Sequence, residues 1–183
     1  MQILFSSRLR LEPLRSEHAE LLFLAQQDPI QYAFIPQEPL PLAELRRRYA
    51  FLESGRSVDG SEHWLNWVAV RLDDEEPIGT FQATVPPSRQ VAIAYAVFPP
   101  FWGNGFASEM GRAVIPHLFE RYEAQHIYAE IDTRNAPSIK LVEKWGFRKT
   151  GFTEAADFFK GASSDEFRFE LSLTEWSAAS TQH

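Results

Sequence analysis

The sequence predicts one three-layer α+β domain, with a mixed, mostly antiparallel sheet in which two central parallel strands splay apart. Three observations lead there. The chain has 183 residues, 44% of them apolar, enough for one buried core without needing two. Two β-branched and aromatic runs, Trp64–Leu72 and Ile78–Val85, are joined by a short acidic turn ending in Pro77, as in an antiparallel hairpin. A helical pattern over Ala107–Tyr122 separates the apolar run Val91–Val97 from the strand-like Ile127–Ile131. A crossover of that length makes its two flanking strands parallel neighbours. The domain is expected over residues 1–176, with a short, small and polar tail at 177–183.

The other elements follow in chain order. Arg8–Leu14 alternates apolar and polar residues and meets Pro13, as a half-buried first strand does. A helix follows in which Ser16 caps the start, Ala19, Leu22, Phe23 and Gln26 recur at helical spacing, and Asp28-Pro29 is the stop. Pro41 opens a second helix whose Leu42, Leu45, Tyr49 and Leu52 form one stripe ended by Gly55. Its Arg46-Arg47-Arg48 run reads as a solvated face rather than an anion-binding patch. Val91–Val97 is apolar throughout and is expected to be buried on both faces. Phe147–Thr153 and Phe167–Thr174 read as the last strands, with Glu175-Trp176 closing the domain.

Composition removes several functions. Eighteen Lys and Arg against 25 Asp and Glu give a net charge of -7, which argues against a nucleic-acid surface and fits a cationic or amine partner better. Without cysteine there is no thiol nucleophile, disulfide or thiolate metal site, and the five histidines lack metal-ligand spacing, so no metal is expected. No apolar run approaches the roughly 20 residues of a membrane span, and no secretory leader is read at the N-terminus. The expected setting is cytoplasmic, without membrane or nucleic-acid partners and compatible with a homodimer.

The chemistry concentrates in two segments. Val91–Val97 runs directly into Phe98-Pro99-Pro100, and prolines cannot continue a ladder, so the strand must leave its neighbour there. Its unpaired backbone groups then need another partner, such as an extended ligand carrying its own amides. The glycine-rich turn Trp102-Gly103-Asn104-Gly105-Phe106-Ala107-Ser108 feeds a helix N-terminus, a geometry suited to anions. A P-loop would end in Gly-Lys-Ser/Thr and a dinucleotide fold would need a third glycine where Ser108 stands.

The run from Ala94-Tyr95 through Glu109 resembles the cofactor loop of the GNAT acetyltransferase superfamily, especially its ribosomal-protein N-acetyltransferase (RimJ/RimL-like) branch. The family's loop reads Gln/Arg-x-x-Gly-x-Gly/Ala. Gly105 and Ala107 match its last positions, while Trp102 replaces the usual Gln or Arg. The resemblance implies that the loop amides from Trp102 to Ser108 hold the pyrophosphate of acetyl-CoA, and that backbone at Tyr95, Ala96 and Val97 pairs with the pantetheine arm. A Cβ at Gly105 would then meet the pyrophosphate.

The second segment runs from Ile127 to Phe147. As structure, Asn135 caps a helix, Pro137 sits in its first turn, Gly146 ends it and Phe147 packs back on Val142. It also resembles the superfamily's second signature, Asn-x-x-Ser followed by Glu-Lys-x-Gly-Phe. That likeness implies that Asn135 positions the pantetheine and Ser138 protonates the leaving thiolate. The implied reaction is direct attack of an amine on the thioester, with a backbone N–H near Val97 stabilising the oxyanion. Many relatives place a base Glu where this chain has Ala92. Glu130, Asp165, Glu166 or a water chain are the remaining candidates for that proton. Protein α-amines, with pKa near 7.7–8.0, need less help from a base than lysine amines near 10.4. The expected activity is acetyl-CoA-dependent N-acetylation of a protein or peptide α-amine. A small-molecule acceptor (aminoglycoside, polyamine or amino acid) and a non-catalytic coenzyme A-binding module are the alternatives.

Overall fold

A computed structural model describes residues 1–180. Eight strands form one sheet in the order β1-β2-β3-β4-β5-β6-β8-β7. They are β1 Leu4–Phe5, β2 Leu9–Pro13, β3 His63–Arg71, β4 Pro77–Val85, β5 Gln90–Val97, β6 His126–Asp132, β7 Arg148–Phe159 and β8 Ala162–Ser172. Five helices cover it: α1 His18–Leu22, α2 Leu42–Glu53, α3 Phe106–Tyr122, α4 Ala136–Lys144 and α5 Leu173–Ser180. Every paired set of strands is antiparallel except β5 with β6. The mixed sheet with its single parallel pair is the one expected.

Strand parity divides the core. Leu9, Leu11, Trp67, Phe81, Val91, Ile93, Ile127 and Ala129 project to the face covered by α3, whose Phe106, Met110, Val114 and Leu118 are all buried at four-residue spacing. On the other face Val68 and Val70 pack with Leu14, Ala19 and Leu22 of the α1 region and Leu45 and Tyr49 of α2. Fully burying each large side chain stabilises the fold by about 1.5–3 kcal/mol.

The central strands part as expected. β5 and β6 are in register only over Gln90–His126, Val91–Ile127 and Ala92–Tyr128. Beyond Ala92, β5 stays with β4 as far as Val97, opposite Gly79, while β6 stays with β8 as far as Asp132, opposite Glu166. Gly79 is required here: a Cβ on it would lie 2.2 Å from the Ala96 carbonyl oxygen.

Several expectations are corrected. Ser16 does not cap α1. Glu17 precedes the helix with no side-chain cap, and the Ser16 N–H goes to Glu53 Oε2 at 2.9 Å, tying α1 to α2. The α-helix ends at Leu22 rather than reaching Gln26, because bonding tightens to Gln26 N–H to Phe23 O and Gln27 N–H to Leu24 O, a 3₁₀ turn over Ala25–Gln27. Asp28-Pro29 still stops it: Asp28 is extended and caps the turn Pro29–Tyr32. β5 is not buried on both faces, since Ala94 is exposed and Ala92 and Ala96 are half-buried. The last strands are longer than expected, because β7 and β8 form one hairpin from Arg148 to Ser172 bent by register shifts. Glu175-Trp176 lies in α5, which continues through Ser180, while residues 181–183 of the expected tail lie outside the described residues.

Candidate active site

The turn between β5 and α3 is rigidly built. Pro99–Phe101 forms a 3₁₀ turn, Gly103 and Gly105 take φ of +77° and +79°, and Gly105 immediately precedes the helix. Asn104 Nδ2 donates to the Phe101 and Trp102 carbonyls at 3.2 and 3.0 Å. Arg8 closes the turn from behind. Its Nη2 donates to the Asn104 carbonyl at 2.9 Å, its Nε to Glu109 Oε1 at 2.5 Å, and its guanidinium lies 4.4 Å from the Phe106 ring centroid. Glu109 also accepts from Ser6 and Ser7; burial is the largest single influence and pushes its carboxyl up, but Arg8, Ser6 and Ser7 together outweigh it and hold the carboxyl below the usual range. The first amides of α3, those of Phe106, Ala107 and Ser108, have no partner within the helix. Ser108 is buried, and its Oγ has no hydrogen-bond partner among the described residues.

Two of these features fit an anionic ligand: a fixed backbone nest and a helix N-terminus. Gly105 also has a backbone reason to be glycine: its φ is positive, which disfavours other residues, while within the protein a Cβ there would meet only Arg8 Nη2, at 3.7 Å. Gly105→Val therefore strains the turn with or without a ligand.

Next to this turn β5 presents a bare edge. The Phe98 N–H bonds to the Ile78 carbonyl at 2.8 Å on the β4 side. Alternation then turns the amides of Ala96 towards β4 and those of Tyr95 and Val97 towards the gap left by β6. Trp102, 47% exposed, reaches back along that edge and donates its indole N–H to the Val97 carbonyl at 2.5 Å.

Across the gap stands the start of α4. Asn135 Oδ1 accepts the Ser138 N–H at 3.3 Å, the cap that the sequence suggests. Ser138 Oγ lies 2.7 Å from Tyr95 Oη. The Tyr95 ring is wedged between Phe81, with centroids 5.9 Å apart, and Trp145, at 4.9 Å. Burial pushes the Tyr95 phenol up to about 12, against the lowering effect of its bond to Ser138, so it stays protonated at neutral pH. The family resemblance implies only a backbone role for Tyr95. Its parity with Val91 and Ile93 was the available sign that its side chain faces α4.

The three candidate acids occupy different environments. Glu130 is ion-paired with Arg168 at 3.1 Å and half exposed. Asp165 Oδ1 accepts the Ala155 N–H at 2.9 Å and fixes the bend in β7, where Ala155 has φ +49°. Glu166 has no paired cation among the described residues. Burial, then the nearby carboxylates Glu130, Asp157 and Asp132, push its carboxyl up. Asp132, opposite it on β6, is held down at about 2, chiefly by Arg134 and further by Ser164. The surroundings of Glu166 thus favour proton uptake by its carboxyl.

On the opposite face of β5 lies an open cleft of about 340 Å³ between α2 and the sheet. Its floor is the row Asn66, Gln82 and Ala94, in register across β3, β4 and β5. Gln82 and Ala94 are exposed although they lie near the middle of an eight-stranded sheet. The small residues Ala94 and Ala96 keep the cleft open, and it reaches Tyr95. The turn, the bare edge and the cleft thus meet at the splayed end of β5. Among the described residues no cluster of His, Asp and Glu could hold a metal ion.

A sheet that parts at its one parallel pair, with a glycine turn at the opening, defines a protein of the acyltransferase class. Residues 8–148 match the acetyltransferase (GNAT) domain family, and the chain belongs to it as an acyltransferase. It is 27% identical over 178 residues to the "uncharacterized N-acetyltransferase p20" of Bacillus licheniformis, covering 96% of this chain and 99% of that one. Its fold superposes on the ribosomal-protein-S5-alanine acetyltransferase of Vibrio fischeri with a TM-score of 0.82 at 17% identity, over 96% and 99% of the two chains. Spermidine N-acetyltransferase of Vibrio cholerae, solved with CoA and spermine, gives 0.81 at 19% identity, over 94% and 99%.

Proposed function

We propose that this protein transfers acetyl from acetyl-CoA to the α-amine of a protein or peptide, as a cytoplasmic enzyme of the ribosomal-protein (RimJ/RimL-like) branch. The observation that carries this reading is the meeting of three features at one point: the bare amides of Tyr95 and Val97, the Gly103–Ser108 nest and the cleft over Ala94. The first two suit an extended amide-bearing donor ending in phosphates, and the third suits an acceptor entering from the other face.

The chain's own groups then divide the work. The 103–108 amides hold the phosphates, and the edge of β5 orients the thioester arm. The Val97 amide, turned into the gap, supplies the donor for the oxyanion. With Tyr95 Oη as the donor of the 2.7 Å contact, the Ser138 hydroxyl proton goes to the departing sulfur as the Tyr95 phenol proton moves to Ser138 Oγ, and Tyr95 is then reprotonated from solvent. Asn135 fixes Ser138 through its amide. Glu166 receives the amine proton, through water where the acceptor stands back from it. A neighbour solved with CoA and an amine supports the pairing of donor and acceptor, and one that acts on a ribosomal protein supports the α-amine.

The test is thiol release from acetyl-CoA by the purified protein over peptides with free α-amines, lysine peptides with blocked termini, polyamines and aminoglycosides. Turnover of the free α-amine peptides is expected. Turnover of polyamines or aminoglycosides alone would replace the acceptor, and tight acetyl-CoA binding with no turnover would make the protein a binding module.

A further inference from the structure

The three consecutive arginines of α2 have separate fates. Arg46 pairs with Glu20 at 2.5 Å and Arg47 with Glu44 at 3.8 Å, as members of a solvated helix face do. Arg48 instead lines the acceptor cleft and its continuation along α2 towards Trp64. Among the described residues it has no ion pair and no side-chain hydrogen bond.

The polar groups around it are mostly already used. Tyr49 Oη accepts from Gln26 at 2.6 Å, Tyr32 Oη donates to the Gln26 carbonyl at 3.0 Å, and Gln31 donates to the Ala25 carbonyl. These bonds hold the 25–40 segment in place as the cleft wall. The carboxylates lining the two cavities are Glu38 and Glu62. Glu38 is paired with Lys160 at 3.7 Å, and Glu62 accepts the Trp64 indole N–H at 3.1 Å. Lys160 is itself bound to the Tyr32 and Ile35 carbonyls. Among the described residues lining the two cavities Arg48 is the one cation, and it is not spent on the fold; below it the floor offers the neutral amide of Gln82.

We propose that the acceptor carries a carboxylate beside its amine, and that Arg48 determines specificity by pairing with it; this rests on the acetyl-transfer reading of the same cleft. A fork of guanidinium donors matches a carboxylate in two hydrogen bonds. The same charge repels an acceptor with a second ammonium group, so the cleft selects against diamines. The carboxylate is either the α-carboxylate of a free amino acid or an acidic side chain near a peptide's N-terminus.

The experiment compares kcat/KM, by thiol release, for a free α-amino acid and its α-amide, an acidic and a neutral tripeptide, and a diamine. Wild type is expected to favour the carboxylate member of at least one matched pair by about tenfold, and the pair that shows it identifies the source. Arg48→Gln should abolish that preference through KM, Arg48→Lys should retain part of it, and Arg48→Glu should raise turnover of the diamine. Calorimetry should give all variants the same acetyl-CoA Kd. Matched pairs turned over equally by wild type, or an Arg48→Gln variant slowed alike on every acceptor, would overturn the inference while leaving acetyl transfer standing. Acetyl-CoA binding with no acceptor turned over would remove both.

Discussion

Tyr95 Oη and Ser138 Oγ lie 2.7 Å apart, joining the middle of the bare strand edge to the first turn of α4. A buried phenol held near 12 can donate but cannot act as a base at neutral pH. Ser138→Ala should lower kcat towards the bottom of the 10²–10⁴-fold range of general acids, with the Kd of acetyl-CoA nearly unchanged. Tyr95→Phe should cost less, and the double variant no more than Ser138→Ala alone, since the two act as one unit. A loss of melting temperature with kcat intact in Ser138→Ala would leave the pair a structural one.

Glu166 gives a prediction of opposite sign in stability and activity. Its carboxyl is raised in the folded protein, so the folded state binds the proton more tightly than the unfolded chain. Its contribution is favourable below the ordinary value of 4.5 and is lost as pH rises through the raised folded value. Above the raised folded value the ionised group opposes folding, so Glu166→Gln should raise Tm on the alkaline side, with the gain fading as pH falls through 4.5. If Glu166 also takes the amine proton, kcat falls in the same variant. A higher Tm with unchanged kcat at every pH assigns the proton to water.

Gly79 should not accept alanine. The added Cβ would fall 2.2 Å from the Ala96 oxygen and 3.0 Å from Val97 Cα, so β4 and β5 must separate where β5 faces the gap. We expect a loss of about 1–3 kcal/mol, read as a Tm lower by several degrees, together with weaker acetyl-CoA binding. An unchanged Tm would mean that the strands do not approach so closely.

Much of this architecture could be read in advance, because it rests on strong local signals. Two prolines after a hydrophobic strand, a glycine turn before a four-residue stripe and an Asn cap with glycine at the far end each fix backbone geometry. The cleft was hidden because Val91–Val97 looks uniformly apolar. Its alternation is one of size: Val91, Ile93, Tyr95 and Val97 fill the α3 and α4 side, while Ala92, Ala94 and Ala96 leave the other side open. Arg48 was hidden for a related reason. Three adjacent arginines look equivalent in sequence, yet the helix turns each by about 100° from the last, and only one of the three meets the cleft. The acids could not be ranked, since the pairing of Glu130 with Arg168 and the isolation of Glu166 depend on the β6–β8 register.

The most direct test of the site is amide hydrogen exchange at Tyr95 and Val97, with and without saturating acetyl-CoA. Both N–H groups face the gap, where β6 no longer runs beside β5, whereas the Ala96 N–H is turned towards β4. Exchange at Tyr95 and Val97 should be fast in the free protein and slow markedly when the donor is bound, with Ala96 slow throughout. Bound acetyl-CoA that leaves exchange at both positions unchanged would contradict the account, because the donor would then lie somewhere other than the splayed edge of β5.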